Sequence, residues 1–264
     1  MYDFGYHRPA SLADAVKALK GASDGKLMAG GQTLIPTLKQ RLARPSDIVD
    51  LNGLKELAGI KVEGGKVTIG ALTRHADVAA SAEVKKAIAA LAHLADCIGD
   101  PQVRNRGTIG GSLANSDPAA DYPAAVLGLG ATIQTNERTI VADDYFKGMF
   151  ETALKPTEII TAVSFPVPEK AGYAKFPNPA SRYAMVGVLV AKGPQGVRVA
   201  VTGAAPCVFR QKEMEAALAK NWSASALDGV KVGAKGLNSD IHASAEYRAH
   251  LIGVMAKRAV QAAG

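Results

Sequence analysis

Apolar positions recur at helical spacing just after the N-terminus: Leu12, Val16 and Leu19 share a face behind Ser11-Leu12-Ala13-Asp14, a capping-box start. A short apolar run then predicts a strand over Lys26 to Ala29, a Gly-Gly pair a turn, and Thr33 to Leu42 a helix with Pro36 in its first turn. Ile48 to Leu51 reads as a second strand, which completes a βαβ unit. The runs Ile60 to Val62 and Lys66 to Ile69, joined by Gly64-Gly65, predict a hairpin. Thr73 is placed to cap a short helix. Ala82 to Asp96 carries Val84, Ile88, Leu91 and Leu94 at the period of one longer helix. Asp117-Pro118 reads as an N-cap with proline at the first helical position, opening a helix to about Leu127. Strands fit Ala131 to Thr135, Thr139 to Ala142 and Glu158 to Phe165.

Pro166-Val167-Pro168-Glu169 interrupts this pattern and predicts a boundary near residue 170. Beyond it, Gly172 to Phe176, Met185 to Ala191 and Val197 to Ala204 read as strands, and Gln211 to Lys220 and Ala243 to Ala262 as helices. The expected fold class is α+β: a βαβ lobe, a larger strand-rich lobe, and a small C-terminal domain of sheet plus helices.

Composition narrows the function classes. The 264 residues are 48% hydrophobic and 21% charged, the balance of a globular protein with a real core. No apolar run reaches the ~18 residues of a membrane helix, and Met1-Tyr2-Asp3-Phe4-Gly5 lacks the charged-then-apolar order of a signal peptide. The expectation is therefore a cytoplasmic protein without stable membrane insertion. Two cysteines, Cys97 and Cys207, are too few for a disulfide framework or for the four thiolates that usually hold an iron–sulfur cluster. The net charge of +7 is spread along the chain, with no basic tract of the nucleic-acid kind.

The chemistry-bearing residues lie in two segments, Ala29-Gly30-Gly31-Gln32-Thr33-Leu34 and Thr108-Ile109-Gly110-Gly111-Ser112-Leu113-Ala114-Asn115. A strand running through Gly-Gly into a helix leaves open N–H groups and a helix dipole, which together attract an anion. One such turn, with Leu27 and Met28 leading in, is either an anion site or a plain βα turn. The second segment adds Thr108, Ser112 and Asn115 as side-chain donors, and reads either as a phosphate loop or as a polar inter-domain loop. Two such segments, about eighty residues apart, suggest a ligand with two phosphates or one long enough to touch both. Asp121, just downstream, suits a ribose diol. Walker A, Rossmann, HExxH, CxxC and GxSxG patterns are all absent, and the five histidines are dispersed. Chemistry would have to come from a bound cofactor.

These segments, together with Phe4-Gly5-Tyr6-His7-Arg8-Pro9, Val49-Asp50-Leu51, Gln102-Val103-Arg104-Asn105-Arg106-Gly107 and Asp117-Pro118-Ala119-Ala120-Asp121-Tyr122-Pro123, resemble in order and over essentially the full length the FAD-binding medium subunit of the molybdenum hydroxylases, the carbon monoxide dehydrogenase and xanthine dehydrogenase group. The resemblance implies a two-lobed PCMH-type FAD-binding domain over 1–170 (lobes about 1–53 and 54–170) and a C-terminal domain over 171–264. It implies that Leu27, Met28, Ala29, Gly30, Gly31, Gln32, Thr33 and Leu34 form a first FAD-contacting segment and Thr108, Ile109, Gly110, Gly111 and Ser112 a second. It further gives Asp121 to the ribose, Ile160 to the adenine, and Lys175 and Tyr183 to the isoalloxazine ring. Read without it, Lys175 is a strand-end charge and Tyr183 a packed aromatic. Gln32, Ile98 and Pro177-Asn178-Pro179-Ala180-Ser181 depart from the family's usual pattern.

In that family the molybdenum–pterin and [2Fe-2S] centres lie on a large and a small partner subunit, in a dimer of heterotrimers. The flavin subunit passes electrons from the clusters to an external acceptor. A stand-alone FAD-dependent reductase on the same scaffold and a non-catalytic basic binding protein are the competing readings.

Overall fold

The computed structural model describes residues 1–264. Three short parallel strands open the chain: β1 (Gly5–His7), β2 (Gly25–Met28) and β3 (Asp47–Asp50), in the order β1-β3-β2. Between them run α1 (Leu12–Gly21) and α2 (Leu34–Lys39). Ser11 caps α1 as its sequence predicts, its Oγ accepting from Asp14 N at 3.1 Å. The expected βαβ unit is β2-α2-β3, and β1 extends it. That strand escapes a pattern reading because all three of its residues are exposed. The first lobe's core is small: Ala15, Val49, Leu51, Leu54 and Leu57, joined by Ile159 from the second lobe.

The second lobe begins with the hairpin β4 (Ile60–Glu63) and β5 (Lys66–Gly70). Six helices follow: α3 (His75–Ala80), α4 (Ala82–Ala87), α5 (Ala89–Asp96), α6 (Pro101–Arg104), α7 (Ile109–Asn115) and α8 (Tyr122–Gly128). Then come β6 (Thr132–Thr135), β7 (Thr139–Val141), α9 (Ala142–Tyr145), the small hairpin β8 (Phe146–Gly148) and β9 (Glu151–Thr152), and β10 (Ile160–Pro166). The late strand β10 inserts between β5 and β6, giving an antiparallel sheet ordered β4-β5-β10-β6-β7. Its apolar face and the helices share one core that contains Tyr122, Tyr145 and Phe165.

The structure departs from four local expectations. Thr73 caps nothing; its hydroxyl is tied to Gly59 N and O, and Arg74 takes the N-cap position. The single helix expected over Ala82 to Asp96 breaks at Ile88 (φ −144°, ψ 77°), which is driven into the core while α5 turns to pack on α3. The second glycine segment is no loop between helices; it is the first turns of α7, capped by Thr108. Asp117-Pro118 forms a turn, with Asp117 Oδ1 accepting from Ala119 N at 2.8 Å, and the helix starts later, behind Asp121 with Pro123 in its first turn.

The C-terminal sheet β11 (Lys170–Pro177), β12 (Ala184–Gly193), β13 (Gly196–Thr202) and β14 (Phe209–Arg210) is antiparallel in chain order. Helices α10 (Lys212–Lys220) and α11 (Ala245–Ala262) cover one face, and α8 packs on the other. Strand β12 is thus buried on both sides: Leu189 and Ala191 join the second lobe's core, while Val186, Val188 and Val190 face Met214, Ile252 and Met255. A doubly covered strand needs apolar residues on both faces, which accounts for its unbroken apolar run. No helix is long and apolar enough to cross a membrane.

Candidate functional site

The two glycine segments face each other across a cleft of about 750 Å³, walled by both lobes and by Ser181 and Tyr183 of the C-terminal domain. Ala29 to Thr33 carry the chain from β2 into α2. Gly31 has φ +72°, and a Cβ on Gly30 would run into the carbonyl of Arg106, so the segments touch there. None of the N–H groups of Gly30, Gly31, Gln32, Thr33 and Leu34 donates to a protein acceptor. Five consecutive open donors at a helix start form a cradle for negative oxygens.

This cradle is braced from below. Tyr6 OH donates to Asp50 Oδ2 at 2.6 Å, and Asn52 Nδ2 reaches Asp50 Oδ1 at 2.6 Å and Ala29 O at 2.8 Å. Burial pushes the Asp50 carboxyl up, but the bonds from Tyr6 and Asn52 outweigh it and hold the group below its usual range. The opening motif and the Val49-Asp50-Leu51 motif therefore meet at the first glycine segment.

The second segment differs from its sequence reading. Its donors are already taken: Ile109 N by Thr73 O (3.2 Å), Gly110 N by Ala71 O (2.8 Å), Gly111 N by Thr108 Oγ1 (3.2 Å) and Ser112 N by Thr108 O (3.0 Å). What it offers the cleft is a bare face and side-chain hydroxyls. A Cβ on Gly111 would lie 3.8 Å from Ala29 Cβ, pointing across to the first segment. A Cβ on Gly110 would lie 2.6 Å from Ala71 Cβ, so this glycine serves packing. Ile109 is fully buried in the second lobe's core and does not line the cleft, whereas Thr108, Ser112 and Asn115 do.

Two further groups complete the wall. Leu154, Pro156, Ile159 and Ile160 form an apolar patch, backed by Glu158. Arg138 grips that buried carboxylate at 2.9 and 3.0 Å, and this pairing, with Lys155 N and Thr135, pulls it down to about 2. The other group is Ile98, Gly99, Val103, Asp121, Ser181 and Tyr183. Tyr183 is half-buried, accepts from Asn178 Nδ2 at 2.9 Å and packs edge-on against His242, so it is no closed-core aromatic. Lys175 stands one layer behind the wall, its side chain 4% exposed. Its Nζ is 3.0 Å from the Asp121 carboxylate and 2.8 Å from Cys97 O, and Tyr173 OH reaches Asp121 Oδ1 at 2.5 Å. Burial pushes Asp121 up, with Lys175 and Tyr173 drawing it part of the way back. Lys175 is an inward charge of a buried triad, neither a strand-end charge nor a direct wall residue.

One cleft residue has no counterpart in the sequence reading. His75, at the start of α3, is 5% exposed, packs on Tyr122 at 5.3 Å between ring centroids, and has an enclosed Nδ1 without a partner. Burial, helped by the charge of Arg104, lowers it to about 4, so it is neutral near pH 7. Only its helix-start position could have drawn attention to it, which is a weak mark in a sequence.

A cleft between two lobes, with a donor cradle at its centre and apolar and polar walls beside it, defines a nucleotide-cofactor protein. Comparison makes the class particular. Residues 2–168 match the family described as the FAD binding domain in molybdopterin dehydrogenase, and residues 172–263 the CO dehydrogenase flavoprotein C-terminal domain. The chain is 37% identical to the nicotine 6-hydroxylase medium subunit of Paenarthrobacter nicotinovorans, over 98% of this chain and 96% of that one. It is 35% identical to the carbon monoxide dehydrogenase medium chain of Hydrogenophaga pseudoflava, over the same shares. The fold superposes on reconstituted CO dehydrogenase from Oligotropha carboxidovorans with a TM-score of 0.91 at 36% identity, covering 99% of this chain and 98% of the other. The chain belongs to the FAD-binding medium subunits of the molybdenum hydroxylases.

Proposed function

We propose that the cleft holds FAD extended across its length, with the diphosphate at the N–H groups of residues 30–34. The observation that carries this reading is the run of five unpartnered donors opposite the bare face of Gly111. Leu27, Met28, Ala29 and Gln32 to Leu34 shape that cradle. Thr108, Ser112 and Asn115 supply donors from α7, and Ile109 and Gly110 seat the helix. Ile160, with Leu154 and Pro156, offers the adenine an apolar slot. Ile98 and Tyr183 flank the ring end, with the Lys175 charge behind them, and Asp121 serves the ribose. A carboxylate has about four lone-pair sites, so Asp121 keeps acceptor capacity for a ligand hydroxyl.

FAD, when bound, supplies electron acceptance and discharge, so the subunit links an iron–sulfur partner subunit to an external acceptor. Residues 1–170 serve as the FAD-binding domain and 171–264 as the domain that closes the ring end. The partners are a large molybdopterin subunit and a small iron–sulfur subunit in a dimer of heterotrimers, within the cytoplasm. Purifying the native assembly tests this: stoichiometric FAD on this chain, together with molybdenum- and iron-bearing subunits, is expected. A flavin-loaded chain with no such companions would overturn the partner assignment, and a colourless one the cofactor assignment.

A further inference from the structure

Three consecutive carbonyls just past the end of α5 are held by two cations, the buried Lys175 and the largely buried Arg104. Lys175 Nζ donates to Cys97 O at 2.8 Å, and Arg104 Nη1 donates to Ile98 O at 3.0 Å and to Gly99 O at 3.4 Å. Helix ends leave carbonyls without partners, and cations close to them satisfy both the lone pairs and the dipole. Here the consequence reaches further than the helix. Ile98 and Gly99 form the cleft wall, and Gly99 has φ +52°, a conformation that a side chain would strain. Arg104 Nη2 also lies 3.5 Å from Asp96, the last residue of α5, so one guanidinium bridges the helix end and the turn after it. Its side chain is only 16% exposed.

We infer that Arg104 is a positioning residue for the flavin chemistry: it fixes the Ile98–Gly99 turn and so sets the wall against which the isoalloxazine ring lies. This rests on the FAD reading above. A planar fork with five donors can span two carbonyls and a carboxylate, which a shorter neutral amide cannot. Loss of the fork frees the turn while the cradle of residues 30–34 keeps its donors. The same turn is perturbed independently by a methyl at Gly99, whose Cβ would lie 2.9 Å from Val103 Cβ.

The test uses the full chain loaded with FAD, as wild type, Arg104→Gln and Gly99→Ala. Each is read by flavin content after desalting, by the visible circular dichroism of the bound flavin, and by its midpoint potential. Both variants are expected to keep near-stoichiometric FAD yet show an altered visible dichroism band, and Arg104→Gln a more negative potential, because a largely buried positive charge beside the cleft wall is gone. A shift in melting temperature alone, with dichroism and potential as in wild type, overturns the inference and makes Arg104 merely structural. If Arg104→Gln does not fold, Gly99→Ala decides: an unchanged dichroism band overturns the inference. A wild-type chain that takes up no FAD instead defeats the underlying FAD reading.

Discussion

Adjacent glycines with unlike duties show how much a single residue's surroundings decide. Gly110 lies against Ala71, with no room for a methyl, while Gly111 faces the cleft with only Thr108 Oγ1 close by, at 3.1 Å. Alanine is the better helix former by about 1 kcal/mol, yet overpacking costs about 1–3 kcal/mol. Gly110→Ala is therefore expected to lower stability by about 1–2 kcal/mol in urea unfolding. Gly111→Ala should stay within about 1 kcal/mol of wild type but weaken FAD binding, read by flavin fluorescence titration. Equal effects of the two on both measurements would contradict the division. The sequence presents the pair as interchangeable; only the fold separates them.

His75 gives a second residue-scale expectation. Its proton is disfavoured in the folded state, where the group sits at about 4, against 6.5 in the unfolded chain. Between those values the unfolded chain binds more protons, so stability is fully present above pH 6.5 and declines as pH falls towards 4. That difference corresponds to about 3 kcal/mol. Urea unfolding across pH 4–7 should show a shallower acid decline for His75→Leu than for wild type. Parallel curves would mean that the imidazole titrates alike in both states.

At the level of elements, legibility followed contrast in the apolar pattern. The βαβ unit, the β4–β5 hairpin and α11 were readable because burial on one face imposes a period. β1 has no buried residue and so no period, although its Tyr6 is what braces Asp50 and, through Asn52, the first glycine segment. Ile88 fits the helical period and still breaks the helix, since tertiary packing outweighs a local preference. The sequence points to too early a start for α8 because Asp117-Pro118 and Asp121-Tyr122-Pro123 carry nearly the same capping chemistry four residues apart. Of the site, both glycine segments were legible, but not that α7 spends its own donors on Thr73, Ala71 and Thr108. Those acceptors lie up to 39 residues away in the chain, Gly110 to Ala71, where no local pattern points. The brace itself is testable: Asn52→Ala removes two bonds, and is expected to cost about 1–2 kcal/mol of stability and several-fold in FAD affinity. An unchanged affinity in a fluorescence titration would show that the cradle holds its shape unaided.

Across the whole molecule, order is unevenly supported. The C-terminal sheet is sandwiched between helices, and the second lobe has its own large core, whereas the largest apolar cluster of the first lobe has six buried residues, one of them Ile159 from the second lobe. Its open donors line the cleft, so a ligand there adds contacts to the lobe with the smallest apolar cluster. A ligand that binds only the folded state at about 100 times its dissociation constant stabilises by about 2.7 kcal/mol. Local opening of a weakly supported lobe falls more steeply on binding than opening of a well-packed sheet. Hydrogen exchange followed by mass spectrometry, with and without FAD, should therefore show strong new protection over residues 25–53, concentrated at 30–34, and little change in β12. Protection spread evenly over the chain would instead mean that the first lobe is no weaker than the rest. No new protection at 30–34 would mean that the five donors are not where the diphosphate binds.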